Sequence, residues 1–190
     1  MSADAHTSPA RLVDRVPTLV GDEIIAHLIP PRQFVAATLD SYRPDRDYPS
    51  QGAAVAAIRN FVAGFSSTGG GLFSRKKVAP ALPGVYLDGG FGVGKTHLLA
   101  ALWHLAPGRK YFGTFIEYTA LVGALGYAPT VHLFKGSSLI CIDEFELDDP
   151  GDTRLMSRLL GQLAATGTRI AATSNTPPNA LGEGRFAAQD

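Results

Sequence analysis

The sequence predicts an α/β fold, a parallel sheet flanked by helices and organised around a phosphate-binding loop. Three observations carry that prediction. The stretch Gly89-Gly90-Phe91-Gly92-Val93-Gly94-Lys95-Thr96 follows a short apolar run and opens a helical pattern. Strand-like and helix-like segments alternate from residue 85 onward. The run Leu139-Ile140-Cys141-Ile142 is apolar at every position, as in a strand covered on both faces, and delivers two consecutive acids at its end.

The elements follow in order. Residues 1–49 mix prolines with charges, and Pro30-Pro31 and Tyr42-Arg43-Pro44-Asp45 are turn signals, so this stretch reads as an arm with short helical pieces. Ser50 is the expected N-cap of a helix over 50–63, because Val55, Ile58, Val62 and Phe65 fall on one stripe, and Gly64 is its expected stop. Residues 66–84 hold Gly69-Gly70-Gly71, the basic run Arg75-Lys76-Lys77, Pro80 and Pro83, and read as a mobile connection. Val85-Tyr86-Leu87 is a strand, and a helix from Lys95 to about Leu105 closes at Pro107-Gly108. A second strand is expected over 111–116, a helical segment near 119–125, and a third strand over 139–142. Asp152 is the expected cap of a helix carrying Leu155, Leu159, Leu160 and Leu163, ahead of a fourth strand over 169–173. The expected organisation is an N-terminal arm and helix (1–65), a flexible connection (66–84) and an incomplete α/β core (85–190). Residues 184–190 look like the opening of another helix, so the chain reads as a fragment of a longer product.

Composition narrows the function classes. A chain of 190 residues suffices for a domain with a buried core. At 45% hydrophobic and 18% charged residues it is neither a disordered chain nor a supercharged arm. Seventeen basic residues balance seventeen acidic ones, so no global field draws it to nucleic acid or an anionic membrane. The single cysteine, Cys141, allows no internal disulfide, fits a reducing compartment and has the apolar neighbours of a core residue. Residues 1–18 carry Asp4 and Asp14 without an apolar segment, unlike a signal or transit peptide, and no run reaches the roughly 18 apolar residues of a membrane span. A cytoplasmic location is expected.

The glycine loop specifies a chemistry. Glycines at 89, 90, 92 and 94 let the backbone curl so that successive N–H groups converge on phosphate oxygens, and the positive end of the following helix supports the same charge. Phe91 and Val93 complete the loop; Lys95 is expected to bridge β- and γ-phosphates, and the Thr96 hydroxyl to ligate Mg²⁺. His97, Trp103 and His104 read as helix packing. Asp143 and Glu144 stand where ligands bind in open parallel sheets. Asp143 takes the metal role and Glu144 that of a base acting on water, a pairing that favours hydrolysis over transfer to a bound substrate. No Asn-Lys-x-Asp guanine reader is present. Glu146, Asp148, Asp149 and Asp152 read as a solvated loop and helix N-terminus. Asn175 is either a group that orients the attacking water or senses the γ-phosphate, or a turn former ahead of Thr176-Pro177-Pro178.

A phosphate loop, an Asp-Glu strand end and a Thr-Ser-Asn strand end in that order resemble the AAA+ ATPases. More narrowly, the chain resembles the ZapE cell-division ATPases, relatives of the mitochondrial AFG-type ATPases. The matching stretches are Tyr42-Arg43-Pro44-Asp45 with Pro49-Ser50-Gln51, residues 86–99, residues 141–150 around Asp143-Glu144-Phe145, and Thr173-Ser174-Asn175-Thr176-Pro177-Pro178-Asn179. The resemblance implies ATP as nucleotide, Asn175 as a sensor-1 residue, a role in division with association to the FtsZ ring, and a homo-oligomer at full length. It also implies a fifth strand, a helical lid and an arginine finger that this stretch does not supply; Arg154, Arg158 and Arg185 follow no recognisable finger pattern. Feeble turnover by this stretch alone is the consequence. Two alternatives stand beside the ATPase: a DNA-replication loader or initiator, which neutral charge and the lack of a recognisable DNA-binding module disfavour, and a nucleotide-gated scaffold without significant turnover.

Overall fold

The structure is a computed structural model that describes residues 24–66, 83–147 and 149–181. The run Arg75-Lys76-Lys77, Asp148, Arg185 and the expected last helix lie outside the described residues.

Helix α1 (Pro49–Ser66) precedes strand β1 (Gly84–Asp88), helix α2 (Lys95–Leu105) and strand β2 (Lys110–Thr114). Helices α3 (Phe115–Leu125) and α4 (Tyr127–Phe134), strand β3 (Leu139–Asp143), helix α5 (Pro150–Ala165) and strand β4 (Arg169–Ser174) follow. The described strands form one sheet in the order β1-β4-β3-β2, every pair parallel. Parallel neighbours require crossovers, and the intervening helices supply them on both faces.

The two-residue period of β3 divides the core. Leu139 and Cys141 join Leu99, Leu102, Ile58 and Phe61 under α1 and α2. Ile140 and Ile142 join Tyr118, Phe134, Met156 and Leu159 under α3, α4 and α5. All four strand residues are at most 1% exposed, which is why the run carries no polar position. Cys141 is a core thiol as expected, and burial pushes its pKa up.

Four local expectations are corrected. Helix α1 begins at Pro49, so Ser50 lies inside its first turn instead of capping it, and it runs through Gly64 to Ser66. Arg169 holds that last turn: its guanidinium donates to the carbonyls of Phe61 (3.0 Å) and Gly64 (2.7 Å), and the latter is one of the last four carbonyls of the helix, which lack an intrahelical donor. Strand β2 ends at Thr114, not at 116, because Thr114 forms a capping box with Glu117 and starts α3 at Phe115. The N-cap of α5 is Asp149, whose carboxylate accepts from the N–H groups of Gly151 (2.7 Å) and Asp152 (2.9 Å), while Asp152 sits in the first turn. Helix α4 was not expected; Pro129 near its start and Gly126 before it disguise it as a loop.

Candidate functional site

The loop after β1, the carboxyl ends of β3 and β4 and the start of α2 enclose a cavity of about 350 Å³, the size of a small-molecule site. Its wall brings together Lys95, Thr96, Asp143, Glu144, Thr173 and Asn175, from three separate segments. Parallel strands all end on the same edge, so residues 80 positions apart in sequence converge there.

The loop between β1 and α2 adopts the backbone its glycines permit: φ is +149° at Gly89, +75° at Gly92 and +86° at Gly94. Gly94 is the left-handed residue before the first turn of α2, and no side chain caps the helix. Its N-terminal N–H groups therefore stay available to an anion. Lys95 Nζ donates to the carbonyls of Gly89 and Gly90, both at 2.8 Å, and to Asn175 Oδ1 at 2.9 Å. Those three neutral acceptors use the full donor complement of an ammonium and hold it at the mouth of the loop.

Asp143 is 7% exposed, and its Oδ1 accepts from Thr96 Oγ1 at 3.2 Å and from Thr173 Oγ1. Glu144 takes the left-handed region, with φ of +54°, a conformation that branched or long side chains adopt at a cost and that recurs at functional sites. The turn leaves Asp143 buried and Glu144 exposed on the same cavity. Two contacts to β4 hold it: Glu144 N–H donates to Thr173 Oγ1 at 3.1 Å and Phe145 N–H to the Thr173 carbonyl at 2.6 Å.

Thr173 is thus a site residue that sequence reasoning missed. Its position at the end of an apolar strand, beside Ser174 and Asn175, was the available signal. Glu146 is another, read from sequence as a solvated acid. Its carboxylate accepts from Ser174 Oγ (2.8 Å), Asn175 N–H (3.0 Å) and Thr176 Oγ1 (3.1 Å), clamping the segment that carries Asn175. Tyr86 secures the same segment by donating to the Thr176 carbonyl at 2.7 Å.

The segment before α1 braces the phosphate loop from behind. Tyr42 donates its hydroxyl to the Val93 carbonyl at 2.8 Å, and Gln51 Oε1 accepts from Asp45 N–H at 2.8 Å. His97 does more than pack: its Nε2 lies 3.0 Å from Ser41 Oγ and 2.9 Å from the Thr38 carbonyl. His104 Nε2 is 3.1 Å from the Phe34 carbonyl, and Trp103 packs against the core under the Lys110 ammonium. The two histidines, seven residues apart on α2, tether residues 34–41 to the helix that begins at the loop.

No helix among the described residues is long and apolar enough to cross a membrane.

Comparison with known proteins agrees with this arrangement. The family model of the AFG1-like ATPases matches residues 22–190. Cell division protein ZapE of Escherichia coli (strain K12) is 36% identical over 109 residues, covering 52% of this chain and 29% of ZapE. The chain therefore spans less than a third of that relative's length. Among solved structures, DnaA from Aquifex aeolicus with AMPPCP bound matches at a TM-score of 0.60 and 15% identity, over 80% of this chain and 45% of that one. DnaI matches at a TM-score of 0.59 and 20% identity, over 84% of this chain and 82% of that one. At such identities the likeness is one of fold. With the family model spanning nearly the whole chain and the phosphate loop and paired acids on one cavity, the chain belongs to the AFG1-like ATPase family.

Proposed function

We propose that the chain binds ATP with Mg²⁺ at the strand-end cavity and hydrolyses the terminal phosphate to drive work on a protein partner. The observation that carries this reading is the convergence of Lys95, Thr96, Asp143, Glu144 and Asn175 on one cavity. The backbone N–H groups of 89–94 and the start of α2 receive the phosphates, and Lys95 exchanges its carbonyl partners for phosphate oxygens. Oxygen donors suit a hard cation, and the Thr96 hydroxyl with the Asp143 carboxylate form such a pair. Bound there, Mg²⁺ would neutralise charge on the phosphates. Glu144, exposed to the cavity, accepts a proton from the attacking water; Asn175 orients that water or reads the terminal phosphate.

The finer assignments belong to the same proposal. The partner is the cell-division machinery, a reading supported by the name of the matched relative, a cell division protein. Action on the FtsZ ring, a homo-oligomeric working form and a cytoplasmic location complete the proposal and rest on the family resemblance of the sequence motifs. The expected division of labour is testable. Lys95→Ala abolishes binding of a fluorescent ATP analogue, whereas Glu144→Gln retains the nucleotide and stops phosphate release. A Glu144→Gln chain that still turns over removes the base from the mechanism. Salt-sensitive DNA binding by the intact chain would favour a replication loader instead.

A further inference from the structure

The charges of this neutral chain are not evenly spread. No acid occurs between Glu117 and Asp143, or between Asp152 and Glu183, although these stretches contain all of α4 and nearly all of α5. The two helices pack on the same face of the sheet and leave between them a groove of about 460 Å³. Its floor is Tyr127, Val131 and Leu163; its rim carries exposed Lys135, Arg158 and His132, and among the described residues no carboxylate lines it. The floor is preorganised. The Arg158 guanidinium stands 4.5 Å from the centre of the Tyr127 ring, and the Tyr127 hydroxyl donates to Gln162 Oε1 at 2.9 Å. Lys135 lies just before β3 and Gln162 near the end of α5, so the groove occupies the end of the sheet opposite the nucleotide cavity.

We infer that this groove is a docking site for an acidic peptide segment of the protein partner, with an apolar side chain on Tyr127, Val131 and Leu163 and flanking carboxylates on Arg158 and Lys135. Charge complementarity supports that occupant: a cationic rim attracts carboxylates and penalises basic sequences. The apolar floor separates it from a nucleic-acid surface, which requires a longer row of phosphate contacts and an overall basic domain. The inference deepens the reading of the chain as an ATPase that acts on a protein, and names the surface used.

The test is fluorescence anisotropy with the intact chain and three labelled probes: a short peptide of Asp and Glu around a Leu-Phe pair, the same peptide with Asn and Gln in place of the acids, and an oligothymidylate. The acidic peptide is expected to bind, to weaken as salt rises, and to lose roughly tenfold in affinity in the Arg158→Glu/Lys135→Glu chain. The amide peptide is expected to bind about as weakly as that variant binds the acidic one. Binding of a fluorescent ATP analogue, measured in parallel, stays unchanged in the variant, which separates loss of the groove from loss of the fold or of nucleotide binding. If the double reversal does not fold, Arg158→Gln/Lys135→Gln supplies the same comparison with a smaller loss. Absence of binding by the acidic peptide, equal affinity for wild type and variant, or binding of the oligothymidylate alone overturns the inference. Those outcomes leave the nucleotide site untouched, whereas failure of the ATP analogue to bind wild type would overturn the ATPase reading by itself.

Discussion

Single residues at the cavity are held by contacts that reach across the chain. Gly94 has φ of +86°, and a Cβ built on it would stand 2.6 Å from Tyr42 Cε2, whose ring is pinned by the bond to the Val93 carbonyl. Gly94→Ala therefore meets both a left-handed backbone penalty and a clash with a ring that cannot retreat freely. The expected result is at least about a tenfold loss of ATP-analogue affinity, read by titration; unchanged affinity would mean that the loop tolerates another path. In the proposed reaction Glu146 acts at one remove, through Asn175. Glu146→Ala frees Ser174, the Asn175 N–H and Thr176 from a shared acceptor and is expected to lower kcat roughly tenfold with little change in KM. In an Asn175→Ala background it should add little, because coupled residues are not additive. A full additive loss there would make Glu146 merely structural.

Element boundaries are set by side chains that satisfy backbone donors and acceptors. Thr114 closes β2 and opens α3: its hydroxyl accepts from Glu117 N–H at 3.2 Å while Glu117 Oε2 accepts from Thr114 N–H at 2.6 Å. The strand ends there because those groups are turned into the cap and no longer continue the ladder. Thr114→Ala is expected to cost about 1 kcal/mol of stability, seen as a shift in the urea midpoint at constant slope. An unchanged midpoint would show that burial of Phe115 and Tyr118 sets the helix start without help from the cap. The same logic limits what periodicity alone reveals about a helix. Hydrophobic stripes at 55, 58 and 62 or at 155, 159 and 163 reveal a helix, but whether it starts at 149, 150 or 152 depends on which carboxylate or hydroxyl reaches the first N–H groups.

Across the whole molecule, tertiary contacts join residues 24–66 to the sheet. Arg169, 7% exposed, stacks 4.2 Å from the Phe65 ring centre and caps α1 from the first residue of β4. At the edge of the sheet the Leu28 carbonyl accepts from Phe112 N–H at 2.9 Å. The buried and half-buried titratable groups predict an alkaline limit to this packing. Burial raises the pKa of Tyr42, Tyr86 and Tyr118 from an ordinary 10.0 and that of Cys141 from 9.0, so each binds its proton more tightly folded than unfolded. Their contribution is fully present below the unfolded values and is withdrawn as pH rises above them, whereas Lys110, lowered by burial, changes in the opposite sense over a window just below its ordinary 10.5. Stability to urea is therefore expected to fall between about pH 9 and pH 11. A flat profile over that range would mean that these groups are not differentially protonated on unfolding.

The sequence by itself determined the phosphate loop, the strand that delivers Asp143 and Glu144, and the parallel α/β architecture, because these depend on glycine spacing, unbroken apolar runs and short-range periodicity. It also placed Asn175 at a strand end, without deciding between a site group and a turn former. Only the tertiary structure decided that the Asn175 amide accepts from Lys95, that Thr173 bridges Asp143 and the Glu144 backbone, that Glu146 clamps the loop beside them, and that Tyr42 braces Gly94. Those contacts join residues that lie tens of positions apart, and the strand order that brings them together depends on how the helices cover the two faces of the sheet. Local periodicity cannot encode which strand ends become neighbours; packing of the apolar faces does.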